Sequence, residues 1–250
     1  MKSNKLKEVS NSSFPYPRIL LKLSGESLQD KESPSFLCAK TIDRIVKEIL
    51  PAMKLGLQLG IVVGGGNLFR GAQLSQTGIS RVSADQVGML GTMINALALR
   101  DVFESHSQVT RVMSSIPMSG VVDHYDRRKA MHHLGLGRVV IFAGGTGNPF
   151  VTTDSAASLR AIELDADLLA KASDVDGIYD GDPKLPGKHV RYETVTFNEV
   201  VNKELKVMDL AAFCQCRDHN MPLRVFDINK PGAISNMLMG ANEGTLVFNK

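Results

Sequence analysis

The chain has 250 residues and a formal net charge of +3, with 43% hydrophobic and 22% charged residues. That balance suits a globular protein burying a sizeable core, as one large domain or two intimate lobes, and excludes both a disordered chain and a nucleic-acid-coating surface. The polar start MKSNKLKEVSNSS has no apolar leader core, and no run nears the ~20 apolar residues that cross a bilayer, so a cytoplasmic location without membrane contact is expected.

Residues 1–16 read as a flexible arm, and 17–250 as a single α/β domain. Short apolar runs predict strands over 18–23 (RILLKL), 58–63, 109–113, 138–143, 167–172, 223–228 and 245–249. The first five barely alternate, as expected of strands covered on both faces. Between them, 36–54 places Ile42, Ile45, Val46 and Ile49 on one helical face. A second helix over 82–105 carries the stripes Met89–Met93–Leu97 and Leu90–Ile94, with Ser83 or Asp85 near its start. A third over 155–164 begins beside the capping candidates Thr153 and Asp154, and 210–217 reads as a fourth. Strands alternating with helices imply a mainly parallel sheet. The Gly- and Pro-rich stretch 177–193 reads as a long connection or small hairpin. Three cysteines, Cys38, Cys214 and Cys216, form no disulfide framework and favour a reducing compartment. Cys214-x-Cys216 with His219 lacks a fourth metal ligand, and His124, His132 and His133 sit among charges without a metal-binding pattern.

Four strand ends carry glycine: KLSGES, VVGGGNLFRG, AGGTGNPFVTTDSAA and KASDVDGIYDGDP. Backbone without Cβ lets an anion approach converging N–H groups, so these are phosphate-cradle candidates. The third fits neither the dinucleotide fingerprint nor the P-loop, since the last glycine of the one and the lysine of the other are missing. Arg70 offers a bidentate phosphate grip or a solvated surface charge. Lys22, inside an apolar strand, either snorkels at the core edge or meets a phosphate. Asp154 and Asp209 either cap helices or orient lysine or magnesium. Tyr179 is a core aromatic or a ring for a base. Transfer between phosphates needs cations and positioned donors, which this set supplies.

RILLKLSGE, GGGNLFRG, AGGTGNPFVTTDSAA, VDGIYDGDP and KELKVMDLAAF, with the late INKPGAISNMLMGANEGTLV, resemble in this order the bacterial uridylate (UMP) kinases of the amino acid kinase superfamily. The resemblance runs from Arg18 to the end. It implies a three-layer αβα sandwich with a mainly parallel central sheet, in which the part up to about residue 160 binds the acceptor UMP and the remainder binds ATP. The implied reaction is direct, Mg²⁺-assisted transfer from ATP to UMP without a covalent enzyme intermediate, in pyrimidine nucleotide biosynthesis. Also implied are a homohexamer and UTP as feedback inhibitor.

By the same resemblance Lys22, Leu23, Ser24, Gly25, Gly66, Arg70, Ser173, Tyr179 and Asp182 face ATP. Gly65, Arg70, Asp85 and the run Thr146, Gly147, Asn148, Pro149, Phe150, Val151, Thr152, Thr153 face UMP. Lys22, Lys171, Asp154 and Asp209 make the catalytic set, and Mg²⁺ enters through the ATP phosphates rather than through assigned protein ligands. Two positions depart from the pattern. Residues 26–34 lack the glycine-bearing segment relatives use near the GTP site, so GTP activation is not carried over. Ser173 stands where Thr or Asn is usual, keeping a hydroxyl, and is followed by Asp174. Superfamily kinases acting on carboxylates or carbamate would lack the phosphate grip of Arg70 with Asp85. A nucleotide-sensing regulator would have lost Lys22, Asp154 or Asp209.

Overall fold

The computed structural model describes residues 14–30, 35–69, 78–183, 185, 187–205 and 208–250. Arg70 and most of the expected N-terminal arm lie outside the described residues. Nine strands form one sheet: β1 (Arg18–Leu23), β2 (Gln58–Val63), β3 (Thr110–Ser114), β4 (Asp123–His124), β5 (Val139–Ala143), β6 (Leu168–Ser173), β7 (Thr194–Thr196), β8 (Leu223–Asp227) and β9 (Thr245–Phe248). Their order across the sheet is β4-β3-β5-β2-β1-β6-β8-β9-β7. Every pairing is parallel except β8 with β9. The seven expected strands are all present. The two missed, β4 and β7, are two and three residues long, too short for a periodic signal.

Among the described residues seven α-helices connect them: α1 (Ala39–Lys54), α2 (Arg81–Ser105), α3 (Arg127–Gly135), α4 (Thr153–Glu163), α5 (Phe197–Asn202), α6 (Leu210–Asp218) and α7 (Ala233–Leu238). Strand side chains alternate between two cores. Ile19, Leu21 and Leu23 of β1 pack with Ile45 of α1, Phe103 of α2 and Ile234 of α7. Leu20 of β1 packs on the other face with Leu134 of α3, Ala161 of α4, Phe197 of α5 and Phe213 of α6. Both sheet faces are covered, which is why the central strands read as unbroken apolar runs. The result is the three-layer αβα sandwich.

Several local expectations shift. Phe14 is buried in the first core with Tyr16 packed against it, so the ordered domain begins before Pro17 rather than after a loose arm ending at residue 16. Helix α1 starts at Ala39, three residues later than expected, after Cys38. Ser80, not Ser83 or Asp85, caps α2, its side chain accepting from the Ser83 amide. Thr152 rather than Thr153 or Asp154 caps α4. Of the two apolar stripes on α2, Met89 and Met93 are buried, whereas Leu90 and Ile94 are 43% and 44% exposed. The 177–193 stretch closes on itself through a single antiparallel bridge between Tyr179 and Arg191.

The topology creates the cleft. After β1 the chain builds outward on one side through β2, β3 and β5, then crosses back to place β6 on the other side of β1. The carboxyl ends of β1 and β6 therefore diverge into loops running in opposite directions, the place where open α/β sheets bind ligands.

Candidate active site

Lys22 and Lys171 are register partners on β1 and β6. Each lies two residues beyond a core leucine, Leu20 and Leu169, so period-2 alternation turns both toward the face covered by α4. The first turn of α4 meets them with Asp154. Its Oδ1 lies 2.9 Å from Lys22 Nζ, and its Oδ2 accepts from Lys171 Nζ at 2.6 Å. The side chains are only 10%, 11% and 13% exposed for Lys22, Lys171 and Asp154, so the three charges sit largely out of water. Burial opposes the Asp154 carboxylate, but Lys22 and Lys171 together outweigh it and hold its pKa below the usual carboxylate range. Burial also pulls the Lys171 ammonium below the usual lysine range, with Asp154 opposing that shift and Lys22 adding to it. Two ammoniums share the Asp154 carboxylate, with Asp209 close enough to act on Lys171 as well, and both lysines line the cleft.

Around the triad the glycine junctions converge. A Cβ on Gly25 would stand 2.8 Å from the Gly66 amide nitrogen, and one on Gly64 3.1 Å from that of Gly25 and 3.6 Å from Thr153 Oγ1. The first two turns thus pack backbone to backbone, and only glycine permits it. Ser24 caps the short turn Gly25–Leu28, its Oγ accepting from the Ser27 amide. The Glu26 carboxylate abuts Gly66, a neighbour that motif reading did not single out.

A cleft of about 980 Å³ opens from the triad and is lined by Lys22, Ser24, Lys171, Ser173, Tyr179 and Asp182. Tyr179 is only partly buried, which removes the core-aromatic alternative. Its hydroxyl donates to Asp176 Oδ1 at 2.6 Å, and this bond raises the phenol pKa. Ile228 and Asn229, beyond β8, line the same cleft; they open the late INKPG segment, to which the sequence assigned no site role.

Asp209 performs the capping role offered for it: it is the N-cap of α6, accepting from the Ala212 amide at 2.9 Å. It also accepts from Thr152 Oγ1 and, at 3.1 Å, from Ser155 Oγ. Thr152 is therefore committed to the start of α4 and to Asp209, joining the end of the third glycine loop to α6. Cys216 is buried behind these groups, and burial with Asp154 and Asp209 nearby pushes its thiol up to about 12.

The loop from Gly144 to Val151 is held at several points. Gly144 N–H donates to Thr92 Oγ1 at 2.7 Å, Ser115 Oγ donates to Gly145 O at 2.8 Å, and Phe150 N–H donates to Asp85 Oδ2 at 2.8 Å. Asp85 is also paired with Arg81, whose Nε is 2.8 Å from Oδ1. Thr146, Gly147 and Pro149 are half-buried, whereas Asn148, Phe150 and Val151 are exposed. The structure thus brings Lys22, Lys171, Asp154, Asp209, Thr152 and Thr153 into one centre, with Gly25, Gly64 and Gly66 adjoining it, whereas Gly65 packs against α2. The structure links Asp85 to the loop rather than to the triad.

The chain matches the amino acid kinase family model over residues 17–227. It is 56% identical over 232 residues to a uridylate kinase of Coxiella burnetii, covering 93% of this chain and 95% of that one. A uridylate kinase of Pseudomonas aeruginosa is also 56% identical, covering 93% and 94%. Among solved structures, UMP kinase from Bacillus anthracis superposes with a TM-score of 0.90 at 43% identity, covering 94% of this chain and 97% of that one. UMP kinase from Ureaplasma parvum gives 0.88 at 35%, covering 93% and 98%. With the lysine–aspartate triad at the switch point and the four glycine junctions around it, these likenesses place the chain: it belongs to the amino acid kinase family, within its uridylate kinases.

Proposed function

We infer that the protein is a UMP kinase, catalysing ATP + UMP = ADP + UDP. The observation that carries this reading is the Lys22–Asp154–Lys171 triad, set at the mouth of a cleft large enough for a nucleoside triphosphate and beside a second polar loop. The bond between the ATP γ-phosphorus and its bridging oxygen breaks as a UMP phosphate oxygen bonds to that phosphorus, and the electron pair leaves on the ADP β-phosphate. Lys22 and Lys171 offset the charge on the transferring group and Asp154 holds both ammoniums in place, which is positioning and electrostatics rather than covalent chemistry. The UMP phosphate is already ionised near neutral pH, so no general base is required.

Magnesium enters as the MgATP complex. Asp154 spends both oxygens on lysines and Asp209 spends its own on Thr152, Ser155 and the α6 cap, so neither carboxylate is a ready metal ligand. Asp209 fixes the joint between α4 and α6. In this reading Ser24, Gly25, Gly66, Ser173, Tyr179 and Asp182 face ATP, and Gly65, Asp85 and the 146–153 loop face UMP. A homohexamer, UTP feedback and a cytoplasmic setting belong to the same reading. The exposed Leu90 and Ile94, one turn apart on α2, supply an apolar surface for a subunit contact. No helix among the described residues is long and apolar enough to cross a membrane.

The test is a coupled ADP-release assay with MgATP against UMP, CMP, carbamate and acetylglutamate, repeated with UTP and GTP added. Turnover with UMP far above the other acceptors is expected, with UTP inhibiting. Activity on a non-nucleotide acceptor alone overturns the assignment.

A further inference from the structure

We propose that Thr92 is a positioning residue for the acceptor nucleotide, acting from behind the site through the backbone of the 144–147 turn. The proposal rests on the assignment of that turn to UMP. Helix α2 carries Gly88 and Gly91 in its middle, where glycine weakens a helix relative to alanine. Close approach accounts for Gly91, where a Cβ would stand 3.3 Å from Gly65 O, and for Gly65, where one would stand 2.4 Å from Gly88 O and 2.9 Å from the Thr92 amide nitrogen. The second glycine turn therefore lies directly on the backbone of α2.

Thr92 is at the centre of this contact and is 4% exposed. Its hydroxyl donates to Met89 O at 2.6 Å and accepts from Gly144 N–H at 2.7 Å. One turn further along, the fully buried Asn95 donates to Gly64 O at 2.6 Å and pairs with Asn67. A single face of α2 thus fixes both the Gly64–Gly66 turn and the root of the acceptor loop. Gly144 and Gly145 adopt φ of +73° and +56°, so the directions of the following N–H groups depend on how the first peptide units are tethered. Thr92 sets one side. Ser115 sets the other, its Oγ donating to Gly145 O and accepting from Arg160 Nη2, each at 2.8 Å. Thr92 lies behind the turn, so its effect on UMP passes through the loop backbone.

Valine matches threonine in shape but cannot accept the Gly144 N–H, which would be left buried and unsatisfied. In the full-length protein, Thr92→Val is expected to raise KM for UMP by about tenfold or more while KM for MgATP stays within about twofold, and Thr92→Ser to restore the normal value. Ser115→Ala, on the opposite side of the turn, is expected to give the same acceptor-selective rise should Thr92→Val fold poorly by thermal denaturation. An unchanged KM for UMP in folded Thr92→Val or in Ser115→Ala overturns the proposal, as does failure of Thr92→Ser to rescue. A rise confined to MgATP overturns the proposal and the assignment of the loop to UMP while leaving the UMP kinase reading in place, whereas absence of UMP turnover in the unmodified enzyme overturns the functional reading and the proposal with it.

Discussion

Replacing Lys22 by methionine is expected to lower kcat for UMP phosphorylation by about 10²–10³-fold, the scale of losing one preorganised donor aimed at charge developing in a transition state. Methionine keeps an unbranched stem in the strand and removes only the charge. The loss should be confined to turnover. Taking one ammonium from a cluster of two lysines and one carboxylate leaves the neutral pair of Lys171 with Asp154, joined at 2.6 Å, so the fold keeps its buried partner. Steady-state kinetics with thermal unfolding as the control check this. Near-normal kcat in a folded Lys22→Met protein would remove Lys22 from the chemistry.

Asp154→Asn should fail in the opposite way, through stability as well as activity. It removes the one carboxylate between two largely buried ammoniums, and breaking a buried pair in this manner costs about 3–5 kcal/mol. For a domain of this size that corresponds to a fall in Tm of roughly 10 °C. The pH dependence identifies the cause. In the unmodified protein the Asp154 pKa is depressed on folding, so its contribution is fully present above the unfolded carboxylate pKa of about 3.9 and is lost as pH falls through the lower folded value. In the variant, Lys171 loses the Asp154 carboxylate that opposes its depression, so its folded pKa falls further below the unfolded value than in the unmodified protein. The unfolded chain then binds more protons between the two, and stability rises as pH approaches the ordinary lysine range. The gap to the unmodified protein should narrow between pH 7 and about pH 9.5, as followed by urea denaturation. A gap constant with pH would mean a packing defect rather than unpaired charge.

The central strands and the triad residues were legible in the sequence because their signals are local. A lysine in an apolar strand, or glycine at a strand end, shows itself within a few residues. What stayed hidden was register. Nothing in 18–23 or 167–172 says that Lys22 and Lys171 stand side by side, since that depends on β6 returning to the other flank of β1. The capping positions slipped for a related reason. Thr152, Thr153, Asp154 and Ser155 are all plausible at a helix start, and the geometry that gives Thr152 the cap frees Asp154 to face the lysines. Thr92 and Asn95 were hidden inside an apolar helical pattern, where a polar residue carries no sign of its backbone partner 31 or 52 residues away. Helix α3 escaped because RRKAMHHLG has too few apolar residues to show a stripe, and only Ala130 and Leu134 reach the core.

The proposed direct transfer from ATP to UMP, with no nucleophile of the protein intervening, makes one outcome mandatory. The most direct measurement is the stereochemical course at phosphorus, using ATP made chiral at the γ-position by sulfur and oxygen isotopes with UMP as acceptor. A single in-line displacement over Lys22 and Lys171 predicts inversion of configuration in the UDP formed. Retention would require two successive displacements through a phosphorylated protein group, and would contradict direct transfer.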